Sequence, residues 1–322
     1  MAAFSVSGKT AIVTGAGSGI NLAFSELLLS FGCNVVLADL SLRPEAQLVV
    51  SKYDGTNDTP RAVFVQTDVT SWPALTNMFR VALAEFGDFD IVCPGAGVYE
   101  PQWSSFWLPP GSLQSRDPPD SGHYSQLDIN LTHPIRVTQL AISHWLHPST
   151  YAADSKWPAP QAASLESNPK RVVHLSSLAG QLPVFRAPMY GASKFAISGF
   201  VRCLAPLESE KGIRVTAVAP GIVRTPLWTE NPDKLANVDQ ERDGWVTPEE
   251  VAEAMVRLIQ DEEFVGGTVL EVGKGSTRVV HAYNDPGPDM SPGKGLITGN
   301  ASKGDDMVRG WLNDKSIWGA KD

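Results

Sequence analysis

A short apolar run that ends in a glycine-rich turn sets the strongest limit on how this chain folds. Residues 9–14, KTAIVT, precede the turn GAGSG and then LAFSELLLSFG, whose apolar residues recur at helical spacing. Strand, glycine turn and helix in this order open a parallel sheet with helical crossovers. Gly15 and Gly17 leave room for a pyrophosphate, and the helix N-terminus supplies free N–H groups and a positive dipole end. A tight turn without a ligand gives the same pattern, so residues elsewhere must decide.

The same alternation continues through most of the chain. Six further apolar runs follow, separated by helical patterns or loops: NVVLAD, RAVFVQTD, FDIVC, RVVHLS, GIRVTAVAP and GGTVLEVG. This alternation predicts an α/β protein with one Rossmann-fold domain over residues 1–275: a doubly wound, parallel, seven-stranded sheet with helices on both faces. Ligands of such sheets bind at the carboxyl ends of the strands.

Four segments depart from this regularity. We expect loop insertions at about 100–123 and 148–169, a substrate lid at about 224–245 and a C-terminal extension over 276–322. The first insertion contains Trp103, Phe106 and Trp107, which line an apolar pocket, form a subunit contact or tether the loop to the body. Because Leu227 and Trp228 lie in the lid, the substrate is expected to be bulky and apolar or aromatic.

Composition excludes several classes of partner. The 322 residues are 43% hydrophobic and 19% charged, which suits a globular protein with a sizeable core. The net charge of −9 argues against nucleic acid and against an anionic membrane surface. Cys33, Cys93 and Cys203 lie in apolar runs without a C-x-x-C pair, so we expect reduced core residues and no metal site. Without a signal peptide or a membrane span, a cytoplasmic enzyme is expected.

Acidic residues end the second and third apolar runs. Asp39 lies about 20 residues beyond the glycine turn, where a carboxylate accepts hydrogen bonds from both adenine-ribose hydroxyls and repels a 2′-phosphate. This favours NAD over NADP, although Arg43 could soften the preference, and a carboxylate that caps a loop is the alternative. Asp68 either meets an adenine ring or is the N-cap of the helix that starts near Trp72.

The stretch RVVHLSSLAGQLPVFRAPMYGASKFAISGF carries the candidate chemistry. Tyr190 and Lys194 are four residues apart on a predicted helix and project from one face, while Ser177 follows the preceding strand. A lysine ammonium near a phenol lowers the phenol pKa, so Tyr190 is a candidate acid/base and Ser177 a hydrogen-bond donor to a carbonyl or alcohol oxygen. Taken alone, Y-x-x-x-K also occurs on ordinary solvated helix faces.

A proline interrupts the helix that we expect from about Tyr124 to Leu146. Pro134 carries no N–H for the carbonyl of Asn130, four residues earlier. That carbonyl is therefore free to bind water.

Together these motifs resemble the short-chain dehydrogenase/reductase family. The resemblance rests on TGAGSGI, Asp39, Asp68, the G-A-G turn, Asn130, Ser177, Tyr190-x-x-x-Lys194 and PGIVRT, including the 13 residues from Ser177 to Tyr190. It covers about Gly8 to Gly273 and is most similar to the 15-hydroxyprostaglandin dehydrogenase-like branch.

The resemblance implies a role for each matching residue. Tyr190 is implied as the acid/base, Ser177 as the holder of the substrate oxygen, Lys194 as the ligand of the nicotinamide ribose, and Asn130 as the holder of a relay water. The implied cofactor residues, with Tyr190 and Lys194, are Gly15, Ser18, Ile20, Asp39, Asp68, Val69, Ala96, Gly97, Pro220, Val223 and Thr225.

Two positions depart from the family pattern. Asn21 stands where the last glycine of the fingerprint usually falls, and Pro94-Gly95-Ala96-Gly97 replaces the usual Asn-Asn-Ala-Gly. The missing asparagine side chains put the contribution of this turn to cofactor binding in question.

The sequence thus predicts an NAD-dependent oxidoreductase that interconverts a secondary alcohol and a ketone. The alternatives are an NADPH-dependent ketone reductase of a biosynthetic pathway, which Asp39 disfavours, and a non-catalytic nucleotide-binding scaffold. The family resemblance also implies a homo-oligomer, a dimer or tetramer, paired through its long helices.

Overall fold

A single sheet of eight strands runs through the part of the chain that the structure describes. The structure is a computed structural model and describes residues 4–56, 60–148, 157, 159–235, 245–282, 309–310 and 312–315. The strands are β1 (Thr10–Thr14), β2 (Asn34–Asp39), β3 (Ala62–Gln66), β4 (Ile91–Cys93), β5 (Lys170–Leu175), β6 (Ile213–Pro220), β7 (Val269–Gly273) and β8 (Ser276–Val279). Their order in the sheet is β3-β2-β1-β4-β5-β6-β7-β8.

Helices connect the strands and cover both faces of the sheet. They are α1 (Gly19–Ser30), α2 (Pro44–Lys52), α3 (Trp72–Phe86), α4 (Ser125–Leu127), α5 (His133–Leu146), α6 (Pro188–Cys203), α7 (Pro206–Lys211), α8 (Pro226–Thr229), α9 (Pro232–Leu235) and α10 (Pro248–Gln260). Within the described residues, no helix is both long enough and apolar enough to cross a membrane.

Two apolar cores lie on opposite faces of the sheet. Alternate residues of each strand point to opposite faces, so Val13 of β1 joins the core under α1, α2 and α10. Its neighbour Ile12 joins the core under α3, α5, α6 and α7. Both faces of the strands are therefore buried, as the continuous apolar runs predicted.

The expected seven-stranded parallel sheet is wrong by one strand. Strands β1 to β7 are parallel, and β8 adds an antiparallel edge, in which Gly273 pairs with Ser276. Gly275 adopts a φ of +66°, a conformation that glycine accepts readily, and so turns the chain back on itself. All four residues of β8 are exposed, so no apolar pattern marked this strand in the sequence.

Several finer expectations also need correction. The helix over Tyr124–Leu146 is divided into α4, one π-helical turn over Asp128–Thr132, and α5. Of the three cysteines, Cys33 and Cys93 are buried but Cys203 is exposed. The expected lid contains α8 and α9, whereas its residues 236–244 lie outside the described chain.

Candidate active site

A cleft opens at the carboxyl ends of the parallel strands, with a cavity volume of about 490 Å³. Because β1, β4, β5 and β6 lie side by side, the turns that follow them meet there. All the residues that we singled out for the cofactor line this one cleft: Gly15, Ser18, Ile20, Asp39, Asp68, Val69, Ala96, Gly97, Tyr190, Lys194, Pro220, Val223 and Thr225. Ser177 lines it as well.

The glycine turn is held by the carboxylate at the end of β2. Gly17 N donates to Asp39 Oδ2 at 2.8 Å, and Leu40 N donates to Asp39 Oδ1 at 2.7 Å. A Cβ at position 17 would lie 2.9 Å from Asp39 Oδ2, closer than real Cβ atoms come, so only glycine fits. The turn and the carboxylate therefore form one rigid wall of the cleft.

Asp68 does not cap the helix after β3. The N-cap of α3 is Ser71, whose hydroxyl accepts from Ala74 N. Asp68 Oδ1 instead accepts from Thr70 N at 2.9 Å and from Thr70 Oγ1 at 2.7 Å, which closes a short turn beside the cleft. The capping alternative for Asp68 is thus wrong.

Tyr190 and Lys194 lie on the first two turns of α6, as their spacing predicted. Lys194 Nζ lies 5.5 Å from the centre of the Tyr190 ring and donates to Leu175 O, at the end of β5, over 2.8 Å. A hydrogen bond links the side chains of Tyr190 and Ser177. The three side chains thus converge in the cleft.

The glycine turn after β5 fixes α6 against the strand. A Cβ at Gly180 would lie 2.7 Å from Lys194 O, so a side chain there would push α6 away from the strand end. Ser176 Oγ donates to Lys194 O at 3.1 Å and lies 2.7 Å from Ser198 Oγ. These contacts fix the position of Lys194 relative to the end of β5.

Burial controls the protonation of the two catalytic candidates. Burial raises the pKa of Tyr190 to about 12, while the hydrogen bond with Ser177 lowers it and the neighbouring Tyr99 raises it. Burial lowers the pKa of Lys194 to about 8. The sequence-based expectation of a lowered Tyr190 pKa is therefore wrong, because burial outweighs the hydrogen bond with Ser177.

Asn130 lies behind the cleft wall, in the π-helical turn. Its side chain is 1% exposed and forms a reciprocal pair with Val98, in which Val98 N donates to Oδ1 and Nδ2 donates to Val98 O, both at 2.8 Å. In the π-helical turn His133 N bonds Asp128 O, and Pro134 has no N–H for Asn130 O. The side chain of Asn130 thus locks the turn after β4.

Two neighbours of Tyr190 were not singled out from the sequence. The Tyr99 ring lies 4.7 Å from the Tyr190 ring and 5.3 Å from the Trp228 ring. Glu100, 9% exposed, accepts from Tyr190 N at 3.0 Å through Oε2 and from Phe106 N at 2.9 Å through Oε1. Both lie shortly after the G-A-G turn, and this position is the only feature of the sequence that places them near the site.

Trp107 of the first insertion tethers this loop to the body of the protein. Trp107 Nε1 donates to Phe185 O at 2.9 Å, and the two rings lie 4.9 Å apart. Trp103 is half-buried within the loop, while Trp228 of α8 lines the cleft. The local-tether alternative holds for Trp107, and the aromatic wall of the site comes from Tyr99 and Trp228.

These residues fit a dinucleotide. Gly15 has a φ of +70°, and a Cβ there would lie 2.7 Å from Ala96 Cα, so two glycine turns approach backbone to backbone beside the start of α1. The N-terminus of α1 supplies free N–H groups for a pyrophosphate. Asp39 can accept from ribose hydroxyls at one end of the cleft, while Lys194 can hold a ribose at the other.

Comparisons with known proteins agree with this geometry. The model of the short chain dehydrogenase family matches residues 9–236. Rat (Rattus norvegicus) 15-hydroxyprostaglandin dehydrogenase [NAD(+)] is 28% identical over 282 residues, which cover 83% of this chain and 91% of the relative. The cis-4-hydroxycyclohexanecarboxylate dehydrogenase of Sinomonas cyclohexanicum is 29% identical over 275 residues, 84% of this chain and 97% of the relative.

A solved structure supports the fold. The 3-ketoacyl-(acyl-carrier-protein) reductase of Brucella melitensis, complexed with NADH, superimposes with a TM-score of 0.63 at 21% identity, over 83% of this chain and 98% of that chain. The match to the family model covers well over half of the sequence. This chain belongs to the short-chain dehydrogenase family and is an NAD(P)-dependent oxidoreductase that acts on CH–OH groups.

Proposed function

We propose that this protein interconverts a secondary alcohol and a ketone with NAD as cofactor and Tyr190 as the acid/base. The observation that carries the proposal is the meeting of Ser177, Tyr190 and Lys194 at one end of a cleft whose other end carries Asp39. Ser177 follows β5, whereas Tyr190 and Lys194 lie on α6. The three side chains meet because the fold places the start of α6 beside the end of β5.

In this proposal Tyr190 transfers the proton, and the other residues bind or orient the reacting groups. NAD, when bound, supplies the hydride acceptor. The Ser177 hydroxyl donates to the substrate oxygen. Tyr190 takes the alcohol proton as the phenolate in oxidation and returns it as the phenol in reduction. Lys194, held by Leu175 O, places a positive charge beside the phenolate as it forms, and Asn130 fixes the turn that carries Gly97.

The charges at the adenosine end support NAD over NADP. Asp39 lines the cleft and would repel a 2′-phosphate. The one nearby cation that could soften this preference is engaged: Arg43 donates from both terminal nitrogens to the two carboxylate oxygens of Glu230, at 2.6 and 2.5 Å. The rat relative, which is named for NAD(+), points the same way.

The walls near Tyr190 support a bulky apolar or aromatic substrate. The Tyr99 ring lies beside the Tyr190 ring, the Trp228 ring packs on Tyr99, and Leu227 and Trp228 line the cleft. The names of two relatives specify a hydroxyprostaglandin and a hydroxycyclohexanecarboxylate as the compounds that they oxidise. A Trp228→Ala variant with an unchanged KM for the preferred substrate would count against this part of the proposal.

We propose further that the protein forms a homo-oligomer through α5 and α6. These helices expose Ile135 and Phe195, which are 37% and 47% exposed. A Phe195→Glu variant is expected to have the mass of a monomer in light scattering, whereas a wild type that is already monomeric contradicts this pairing.

A cofactor titration followed by a substrate panel tests the proposed function. NADH and NADPH binding is followed by nucleotide fluorescence, and turnover is measured with cyclic and aromatic secondary alcohols and ketones. Tighter binding of NADH than of NADPH, with turnover of a cyclic alcohol, is the expected result. Tighter binding of NADPH would favour the reductase alternative, and nucleotide binding without turnover of any substrate would favour a scaffold.

A further inference from the structure

The two departures from the family pattern lie face to face in the cleft. Asn21 is in the first turn of α1, where the fingerprint usually has glycine, and Gly95 is in the turn after β4, where the family usually has asparagine. The residues are 74 positions apart in the chain, yet both line the same cavity. They are therefore one structural feature of this site.

The Asn21 side chain occupies the volume of a side chain at position 95. A Cβ built on Gly95 would lie 2.6 Å from Asn21 Cγ and 2.8 Å from Nδ2, and closer still to Oδ1. Real Cβ atoms essentially never come within 3.0 Å of another heavy atom. At its observed position, the Asn21 side chain thus leaves no room for a side chain at position 95.

The carboxamide of Asn21 lies between the two glycine turns. A Cβ on Gly15 would lie 3.0 Å from Asn21 Nδ2, so the turn after β1 also closes on this amide. Asn21 is 7% exposed, and its Oδ1 accepts only a long contact from Cys93 Sγ, at 3.9 Å. No residue in the described part of the chain accepts a hydrogen bond from Nδ2.

The Asn21 amide lies at the wall of the cleft, and its N–H without a protein acceptor is available to an acceptor atom of a ligand there. The cleft that Asn21 lines is the one proposed to hold the dinucleotide, whose oxygens are acceptors. A ligand in this cleft would therefore satisfy the donor that the protein leaves open.

We infer that the chain has exchanged a side chain between its two turns, so that Asn21 delivers from α1 the amide that position 95 lacks. Asn21 is thereby a binding group of the dinucleotide site. The part of the inference that concerns the ligand rests on the proposed function. The part that concerns packing rests on distances within the protein alone. The altered motifs are a matched pair and leave the site able to bind.

A double-mutant cycle tests the exchange. The four proteins are the wild type, Asn21→Gly, Gly95→Asn and the double variant, each assayed for NADH affinity by fluorescence and for Tm by calorimetry. Gly95→Asn collides with the Asn21 amide, and Asn21→Gly opens a gap, so each single change is expected to weaken NADH binding about tenfold or more and to lower Tm. The double variant is expected to recover most of both losses.

Two further variants separate packing from ligand binding. Asn21→Leu keeps the branched shape of the side chain and removes the Nδ2 donor without adding a charge, so NADH affinity is expected to fall about tenfold while Tm changes little. Gly199→Asn makes the same substitution as a control, at a position in α6 where a Cβ would have nothing within 4 Å, and is expected to leave NADH affinity unchanged and to change Tm little.

The outcomes are distinct. Losses that simply multiply in the double variant, or a Gly95→Asn variant that binds and melts like the wild type, would overturn the exchange. Unchanged NADH affinity in Asn21→Leu would overturn the binding role of Asn21. If the wild type binds neither nucleotide, the proposed function and that binding role fail together, and the Tm cycle still decides whether the two positions share one side-chain volume.

Discussion

A buried lysine lies at each end of β5, Lys170 in the strand itself and Lys194 on α6. The two differ in the groups that surround the ammonium. Lys170, the first residue of the strand, is 0% exposed, and its Nζ donates to Asp88 and Asp90, both at 2.9 Å, and to Phe89 O at 3.1 Å. Lys194 is 7% exposed, and its Nζ donates to the carbonyl of Leu175, the last residue of the strand, without a carboxylate among its described partners.

The difference supports the proposal that the reaction takes place at the carboxyl end of β5. Burying an ammonium is unfavourable unless opposite charges and hydrogen bonds surround it, as they do around Lys170. Lys194 is left without that compensation, and burial lowers its pKa to about 8. In the proposed mechanism, this buried and uncompensated charge acts on the neighbouring Tyr190.

The largest expected effect comes from removing the unpaired charge. Lys194→Met keeps the length of the side chain, so turnover is expected to fall by about 10²- to 10⁴-fold, the range for loss of acid–base assistance. Stability should not fall, because no carboxylate loses its partner. Steady-state kinetics measures turnover and urea unfolding measures stability, both on the same preparation. A destabilised variant would contradict the difference drawn between Lys194 and Lys170.

The paired lysine should give the opposite result. Lys170→Met is expected to lower the free energy of unfolding by about 3 kcal/mol, the low end for breaking a buried pair. The low end applies because Asp88 keeps His144 and Asp90 keeps Lys9. Turnover per folded molecule should match the wild type, so a large loss of kcat in a fully folded variant would contradict a structural role for Lys170.

The pKa of Lys194 predicts how stability changes with pH. The folded-state pKa of about 8 lies below the ordinary 10.5, so between these values the unfolded chain binds more protons and stability rises with pH. Between pH 7 and pH 10.5, the free energy of unfolding of the wild type should therefore rise by about 3 kcal/mol relative to that of Lys194→Met. Urea unfolding of both proteins across this window measures the gain, and parallel curves would contradict the lowered pKa.

A smaller effect is expected at the carboxylate that touches the catalytic helix. Glu100→Gln replaces one of two acceptor oxygens by a donor that faces another donor, so stability should fall by about 1–3 kcal/mol and kcat about tenfold. Asp117→Asn is the matched control, because Asp117 is also buried and holds the same insertion through Ser104 and Ser125.

Asp117 has no bond to α6 in the described chain, so its variant should lose stability and retain the kcat of the wild type per folded molecule. Equal kcat losses in Glu100→Gln and Asp117→Asn would assign Glu100 to the folding of the loop alone. Full kcat in Glu100→Gln would also exclude a positioning role for Glu100.

The sequence predicted the parts of the site that depend on spacing. Tyr190 and Lys194 share a helix face because they are four residues apart, and parallel strands bring Asp39 and Ser177 to the same edge of the sheet. The apolar runs predicted seven strands because those strands are buried on both faces. The exposed β8 lacked that pattern and was missed.

Features that depend on contacts between distant residues were not predictable in this way. Asn21 and Gly95 appeared as two separate losses, because only the fold places the amide of one in the volume of the other. Glu100 is 90 residues from Tyr190 in the chain, so its bond to the catalytic helix had no local signal. Asp68 was assigned two alternatives because Ser71, the actual cap, is just as good an N-cap.

The most direct test of the account is a comparison of the wild type with Tyr190→Phe in one assay of NADH binding and NAD reduction. The variant loses only the phenol oxygen, so it is expected to bind NADH like the wild type and to lose turnover by at least about 10²-fold. Equal turnover of a secondary alcohol by both proteins would contradict the role of Tyr190 as the acid/base.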